Sequence, residues 1–151
     1  MNTPKKISTC FVSDWFEKYS NTESIVVVID VLRATSVISI AFHYGVKEII
    51  PVQSLEEANN YKSKENFIVA AERNAMPVDG FDYGNSPFHY MNEKVQNKTL
   101  VLTTTNGTKA LEIAKNHKTI TASFVNFDAV VNYLISQKKD VILLCAGWKG
   151  F

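Results

Sequence analysis

The run Ile25-Val26-Val27-Val28-Ile29 constrains the fold most, because a stretch of large aliphatic residues without polar alternation suits a strand buried on both faces. Such a strand belongs in a parallel sheet between layers of helix. The run stops abruptly on Asp30-Val31-Leu32-Arg33-Ala34-Thr35-Ser36. Asp30 therefore stands at the carboxyl end of its strand, outside which open α/β sheets bind ligands. Thr35-Ser36 opens a helical stretch whose first amides can meet an anion. An acid suited to a metal, an arginine suited to a phosphate and a helix start thus converge; the plainer role for Asp30 is to cap the loop after its strand.

The same alternation continues along the chain. Apolar runs near 6–12, 24–30, 48–52, 67–71, 99–105, 118–122 and 140–146 predict strands, with helical segments between several of them. Ser54-Leu55-Glu56-Glu57 fits a capping box, Ser86-Pro87 an N-cap followed by proline at the first helical position, and Asn126 a cap for a helix reaching Gln137. Trp15, Phe16 and Tyr19 sit at helical spacing and are expected in the core. With no linker, repeat or low-complexity stretch, the pattern predicts one α/β domain, a mostly parallel sheet with helices on both faces and right-handed crossovers. A length of 151 residues, 46% of them hydrophobic, suffices for one such core but not two.

Charge and composition exclude several functions. With 16 basic and 15 acidic residues the net charge is +1, so no global field favours nucleic acid or an anionic membrane, and anion recognition must be local. No run approaches the roughly 20 apolar residues of a membrane span, and no secretory apolar region follows Met1-Asn2-Thr3-Pro4-Lys5-Lys6, so the sequence reads as cytoplasmic. Cys10 and Cys145 suggest no disulfide framework, and His43, His89 and His117 lie in separate segments without ligand spacing.

Two further junctions carry polar chemistry. Thr103-Thr104-Thr105-Asn106-Gly107-Thr108 precedes a helical segment and offers the hydroxyls, cap and close backbone approach of a phosphate cradle. A β-prone threonine run with an ordinary Asn cap explains the same residues. It is not a Walker A loop. Ala71-Glu72-Arg73-Asn74, running towards Gly80-Phe81-Asp82-Tyr83-Gly84-Asn85-Ser86-Pro87, is a long polar loop in which Arg73 suits a phosphate clamp or a surface pair with Glu72. Because paired strands lie about 5 Å apart, Arg33 and Asn106-Gly107-Thr108 are expected to hold one anion jointly from adjacent strand ends. A cysteine-nucleophile phosphatase loop would need Arg where Phe151 stands, six residues after Cys145, and a haloacid-dehalogenase-type site would need a second acid at Leu32. Cys145 is therefore read as a buried spectator.

Taken together, Val27 to Ser36, Ala71-Glu72-Arg73, Gly80 to Pro87, Thr103 to Thr108 and Cys145-Ala146-Gly147-Trp148 resemble, in order and spacing, the 2-phosphosulfolactate phosphatase (ComB) family over essentially the whole chain. The resemblance implies a three-layer α/β/α architecture with a mostly parallel sheet. It also implies magnesium-dependent hydrolysis of 2-phosphosulfolactate to sulfolactate and phosphate, a step of coenzyme M biosynthesis. On this reading residues 1–151 form a single domain, the N-terminal part of a longer family chain whose C-terminal segment, with an acidic pair, is absent. Ala75 stands where many relatives have Gly.

The expected site follows from the residues and the resemblance together. Asp30 and Glu72 hold Mg²⁺, Arg33 and Arg73 neutralise the phosphate oxygens, and Thr35, Ser36, Asn85, Ser86, Thr105, Asn106, Gly107 and Thr108 contact substrate. Direct attack by water and a covalent aspartyl-phosphate on Asp30 both stay open. The expected partner is a small phosphorylated organic acid, not nucleic acid or membrane, with homo-oligomerisation left open. The rival reading is a non-catalytic phosphometabolite-binding module or an inactive truncated homologue.

Overall fold

A computed structural model describes residues 6–148, and within them the apolar runs form eight strands in two sheets. The first sheet contains β1 (Ile7–Cys10), β2 (Ile25–Ile29), β7 (Lys118–Ala122) and β8 (Val141–Cys145), all parallel in the order β1-β8-β2-β7. The second contains β3 (Glu48–Pro51), β4 (Phe67–Arg73), β5 (Met76–Pro77) and β6 (Thr99–Thr103) in the order β3-β6-β4-β5, with only β4 and β5 antiparallel. The α/β class and the parallel pairing agree with the sequence. The division into two sheets differs from the single sheet expected, because a two-sided apolar run says that a strand is covered but not which strand lies beside it.

Five helices connect and cover the strands: α1 (Phe16–Tyr19), α2 (Ala34–His43), α3 (Leu55–Asn59), α4 (Gly107–Ile113) and α5 (Phe127–Gln137). Period-two alternation sends Ile68, Ala70, Leu100 and Leu102 to one face of the second sheet, against Val37, Ile38 and Ala41 of α2 together with Tyr90. The intervening Val69 and Val101 face the other way, against Val52 and Ala58. In the first sheet Val26, Val28, Ile142 and Leu144 pack on Phe16, Ala110 and Ala114. Fully burying each such aliphatic side chain stabilises the fold by about 1.5–3 kcal/mol. The opposite face, with Val27, Ile29 and Leu143, meets α5, which buries no residue completely and leaves a cavity of about 380 Å³.

Local signals are met unevenly. Ser54 Oγ accepts from Glu57 N at 3.0 Å, capping α3 as expected. Ser86 precedes a 3₁₀ turn at Pro87–Tyr90 without a side-chain cap bond. Asn126 Oδ1 accepts from Ser123 N at 2.8 Å, so its side chain closes the turn before α5 instead of capping that helix. Of the three aromatics expected in the core only Phe16 is buried; Trp15 and Tyr19 are exposed, because α1 is a single turn with one face inward. No helix among the described residues is long and apolar enough to cross a membrane.

Candidate active site

The site lies where strand ends of both sheets meet. Asp30 follows β2, and the turn after it is closed reciprocally: Asp30 N donates to Thr35 Oγ1 at 3.0 Å and Thr35 N donates to the Asp30 carbonyl at 3.0 Å. Burial pushes the Asp30 carboxyl above the ordinary carboxylate range, the backbone amide of Ala34 pulls it back down, and the nearby charge of Glu72 raises it again. Two acids thus share one small region.

Glu72 is only 5% exposed, at the end of β4. Its Oε1 accepts from Ala75 N at 2.6 Å and from Thr105 Oγ1 at 3.0 Å, and its Oε2 accepts from Thr105 N at 3.2 Å. Asn74 and Ala75, with φ of 53° and 64°, form the two-residue turn between β4 and β5, the hairpin type that requires positive φ at both positions. Glu72 therefore ties this hairpin to the loop after β6. Arg33 adds a second tie, donating from Nη2 to the Ala75 carbonyl at 3.0 Å.

Asp30, Leu32, Arg33, Glu72, Ala75, Asn85, Asn106 and Trp148 enclose a cleft of about 30 Å³. Asn85 is 5% exposed, and its Oδ1 has no hydrogen-bond partner. Gly107, the first residue of α4, closes the arrangement from behind. A Cβ there would lie 2.4 Å from Ala34 Cβ and 2.7 Å from Asp30 Oδ2, so only glycine lets α4 approach the start of α2.

Several expected site residues are placed elsewhere or engaged otherwise. Arg73 points to the opposite side of β4 from Glu72: Nη1 donates to the Glu72 carbonyl at 2.6 Å, and Nη2 donates to Thr103 Oγ1 at 2.9 Å and to the Gln53 carbonyl at 3.4 Å. It does not line the cleft, which corrects its expected role on the phosphate. Thr35 Oγ1 is engaged by Asp30 N, and Ser36 Oγ donates to the Val31 carbonyl at 2.7 Å. Thr108 Oγ1 donates to the Thr104 carbonyl at 2.9 Å, and Thr108 N donates to Thr104 Oγ1 at 3.1 Å. These hydroxyls stabilise turns. Thr105 serves Glu72, and Ser86 lies beside Asn85 but outside the cleft lining. The joint cradle is not built as expected: β2 and β6 lie in different sheets and are not paired neighbours, and of its residues Arg33 and Asn106 line the cleft while Gly107 and Thr108 are buried. Leu32, Ala75 and Trp148 line the cleft and gave no chemical signal in the sequence.

The donor set fits magnesium. The Asp30 carboxylate and the Asn85 carbonyl are hard oxygen donors, and Mg²⁺ typically takes one or two protein carboxylates and completes its shell with water and phosphate. Among the described residues no group of three or more His, Cys, Asp or Glu could form an all-protein metal cage. Burial pushes the Cys145 thiol up, against formation of the thiolate that a nucleophile requires, and Phe151 lies outside the described residues.

Residues 10–151 match the family model described as 2-phosphosulpholactate phosphatase. A protein of Thermotoga petrophila named probable 2-phosphosulfolactate phosphatase is 52% identical over 124 residues, covering 82% of this chain and 54% of the relative. A protein of the same name from Caldanaerobacter subterraneus is 46% identical over 132 residues, 85% of this chain and 55% of its own length. One from Clostridium perfringens is 42% identical over 151 aligned residues, 96% of this chain and 61% of its own length. The chain thus spans little more than half the length of these relatives. With the match running through β2, the Glu72 hairpin and the start of α4, the chain belongs to the 2-phosphosulpholactate phosphatase family.

Proposed function

We propose that this chain carries the site of a Mg²⁺-dependent phosphomonoester hydrolase that converts 2-phosphosulfolactate to sulfolactate and phosphate. The supporting observation is the charge balance of the cleft: two carboxylates, Asp30 and Glu72, face one guanidinium, Arg33. A phosphate dianion would be repelled by that balance unless a cation joined it. The relatives' name supplies the substrate, and a soluble metabolite of this kind suits the cytoplasm and coenzyme M biosynthesis.

Asp30 is the residue that would hold the ion, because it lines the cleft and the Ala34 and Arg33 backbone amides favour its charged form. Bound there, Mg²⁺ supplies positive charge to the phosphoryl oxygens and lowers the pKa of the water it carries. Arg33 spends one donor on the Ala75 carbonyl and keeps others for non-bridging phosphate oxygens, where charge builds in the transition state. Glu72 holds the hairpin that positions Ala75, and through it Arg33. Asn106 reaches the same cleft from the start of α4.

The test is release of inorganic phosphate from 2-phosphosulfolactate by the purified 151-residue chain. Release with Mg²⁺, loss with EDTA and recovery with excess Mg²⁺ is the expected result. Stoichiometric phosphate binding without turnover would establish the binding module instead.

A further inference from the structure

We propose that Asn85, through Oδ1, is the second protein ligand of the cation, and that Glu72 is not a ligand but a clamp. The inference rests on the metal-dependent reading above and departs from the expected pairing of Asp30 with Glu72. Most of the accepting capacity of Glu72 is already engaged: three donors on the hairpin and the loop after β6 use three of the roughly four lone-pair sites on its two oxygens. Turning it towards an ion would release Ala75 N and Thr105 N at once. Asn85 is in the opposite condition: the residue lines the cleft, and its buried carbonyl oxygen has nothing bonded to it. Such an atom is costly in a native interior unless a ligand answers it.

Two further observations agree. The segment carrying Asn85 is fixed before any ligand arrives, since the buried Tyr90 hydroxyl donates to the Gly84 carbonyl at 2.8 Å and Gly84 N donates to His89 Nδ1 at 3.1 Å. A site held in this way has its geometry preorganised. The cleft is small, about 30 Å³, and partly open, which suits a cation that keeps several waters in its shell. Amide carbonyls are ordinary oxygen ligands for hard cations.

Mn²⁺ serves as the probe, titrated by electron paramagnetic resonance into the 151-residue chain and the variants Asp30→Asn, Asn85→Ala, Asn85→Asp and Glu72→Gln, without substrate. Asn85→Ala should raise the Kd by about tenfold or more, whereas Glu72→Gln should change it by less than about threefold. Asn85→Asp keeps a carboxylate oxygen in place and should bind at least as tightly as the natural chain, which separates loss of a ligand from loss of the fold. Natural-chain affinity in Asn85→Ala, with binding lost in Asp30→Asn, would overturn the assignment of Asn85 and leave the metal-dependent reading standing. Lost binding in a folded Asn85→Asp, or a tenfold loss in a folded Glu72→Gln, would overturn it as well. No Mn²⁺ binding by the natural chain would overturn both.

Discussion

The second sheet is packed on both faces, by α2 with Tyr90 on one side and by Ala58 of α3 on the other, whereas the first sheet is tightly packed only against Phe16 and α4. Its other face, with Val27, Ile29 and Leu143, has α5 for cover, and Phe124 and Phe127 at the start of that segment remain 81% and 59% exposed. The cleft draws on both. Asp30 comes from the loosely covered sheet, and Glu72 from the well covered one. Packing alone therefore does not fix the distance between the two acids. Direct ties do so: Arg33 to the Ala75 carbonyl, Glu72 to Thr105, and the contact of Gly107 with Ala34 and Asp30.

Breaking the tightest of these ties should have a large effect on both the fold and the cleft. Gly107→Val would place side-chain atoms into Ala34 and Asp30, at separations no real Cβ adopts, so urea denaturation should show a loss of about 3 kcal/mol and the cleft should lose its shape. The two faces of the first sheet give the next contrast. Leu144→Ala removes a fully buried side chain and should cost about 2–5 kcal/mol, whereas Leu134→Ala on the loosely packed α5 face should cost under about 1 kcal/mol. Equal losses would show that both faces are equally well packed.

A smaller effect is expected at Asp30, and its sign is opposite. Burial, more than the neighbouring charge of Glu72, raises the Asp30 carboxyl above its value in the unfolded chain, so the folded state holds the proton more tightly. Stability then falls as pH rises from the ordinary carboxylate value through the raised one, and stays lower above it. Asp30→Asn removes this penalty. In EDTA the variant should melt higher than the natural chain at neutral pH, with the gap closing below the ordinary carboxylate range. The smallest change is Ala75→Gly: relieving an alanine at φ 64° should add up to about 1 kcal/mol, and a loss would show that the turn geometry differs.

Much of the fold was legible because each strand announces itself locally: the expected spans 24–30, 48–52 and 118–122 enclose or equal β2, β3 and β7. β5 was not legible, since it has two residues and its turn carries Ala75 in place of the glycine that would mark a hairpin. The grouping into two sheets depends on long-range pairing that no local period encodes. Asp30, Glu72, Arg33 and Asn85 stood out as polar residues at strand ends and in loops. The error at Arg73 came from ending β4 at residue 71; once the strand runs to Arg73, alternation alone sends Glu72 and Arg73 to opposite faces. The hydroxyls of Thr35, Ser36 and Thr108 close turns, and because turn capping and phosphate binding use the same residue types, sequence alone does not separate the two roles.

The most direct measurement is the rate of phosphate release from 2-phosphosulfolactate by Asp30→Asn beside the natural chain, each across a Mg²⁺ titration. The amide preserves shape and removes the charge on which the ion depends, so the variant should fall by about a hundredfold or more and lose its response to Mg²⁺. A folded Asp30→Asn that releases phosphate at the natural rate, with an unchanged Mg²⁺ dependence, would contradict the account.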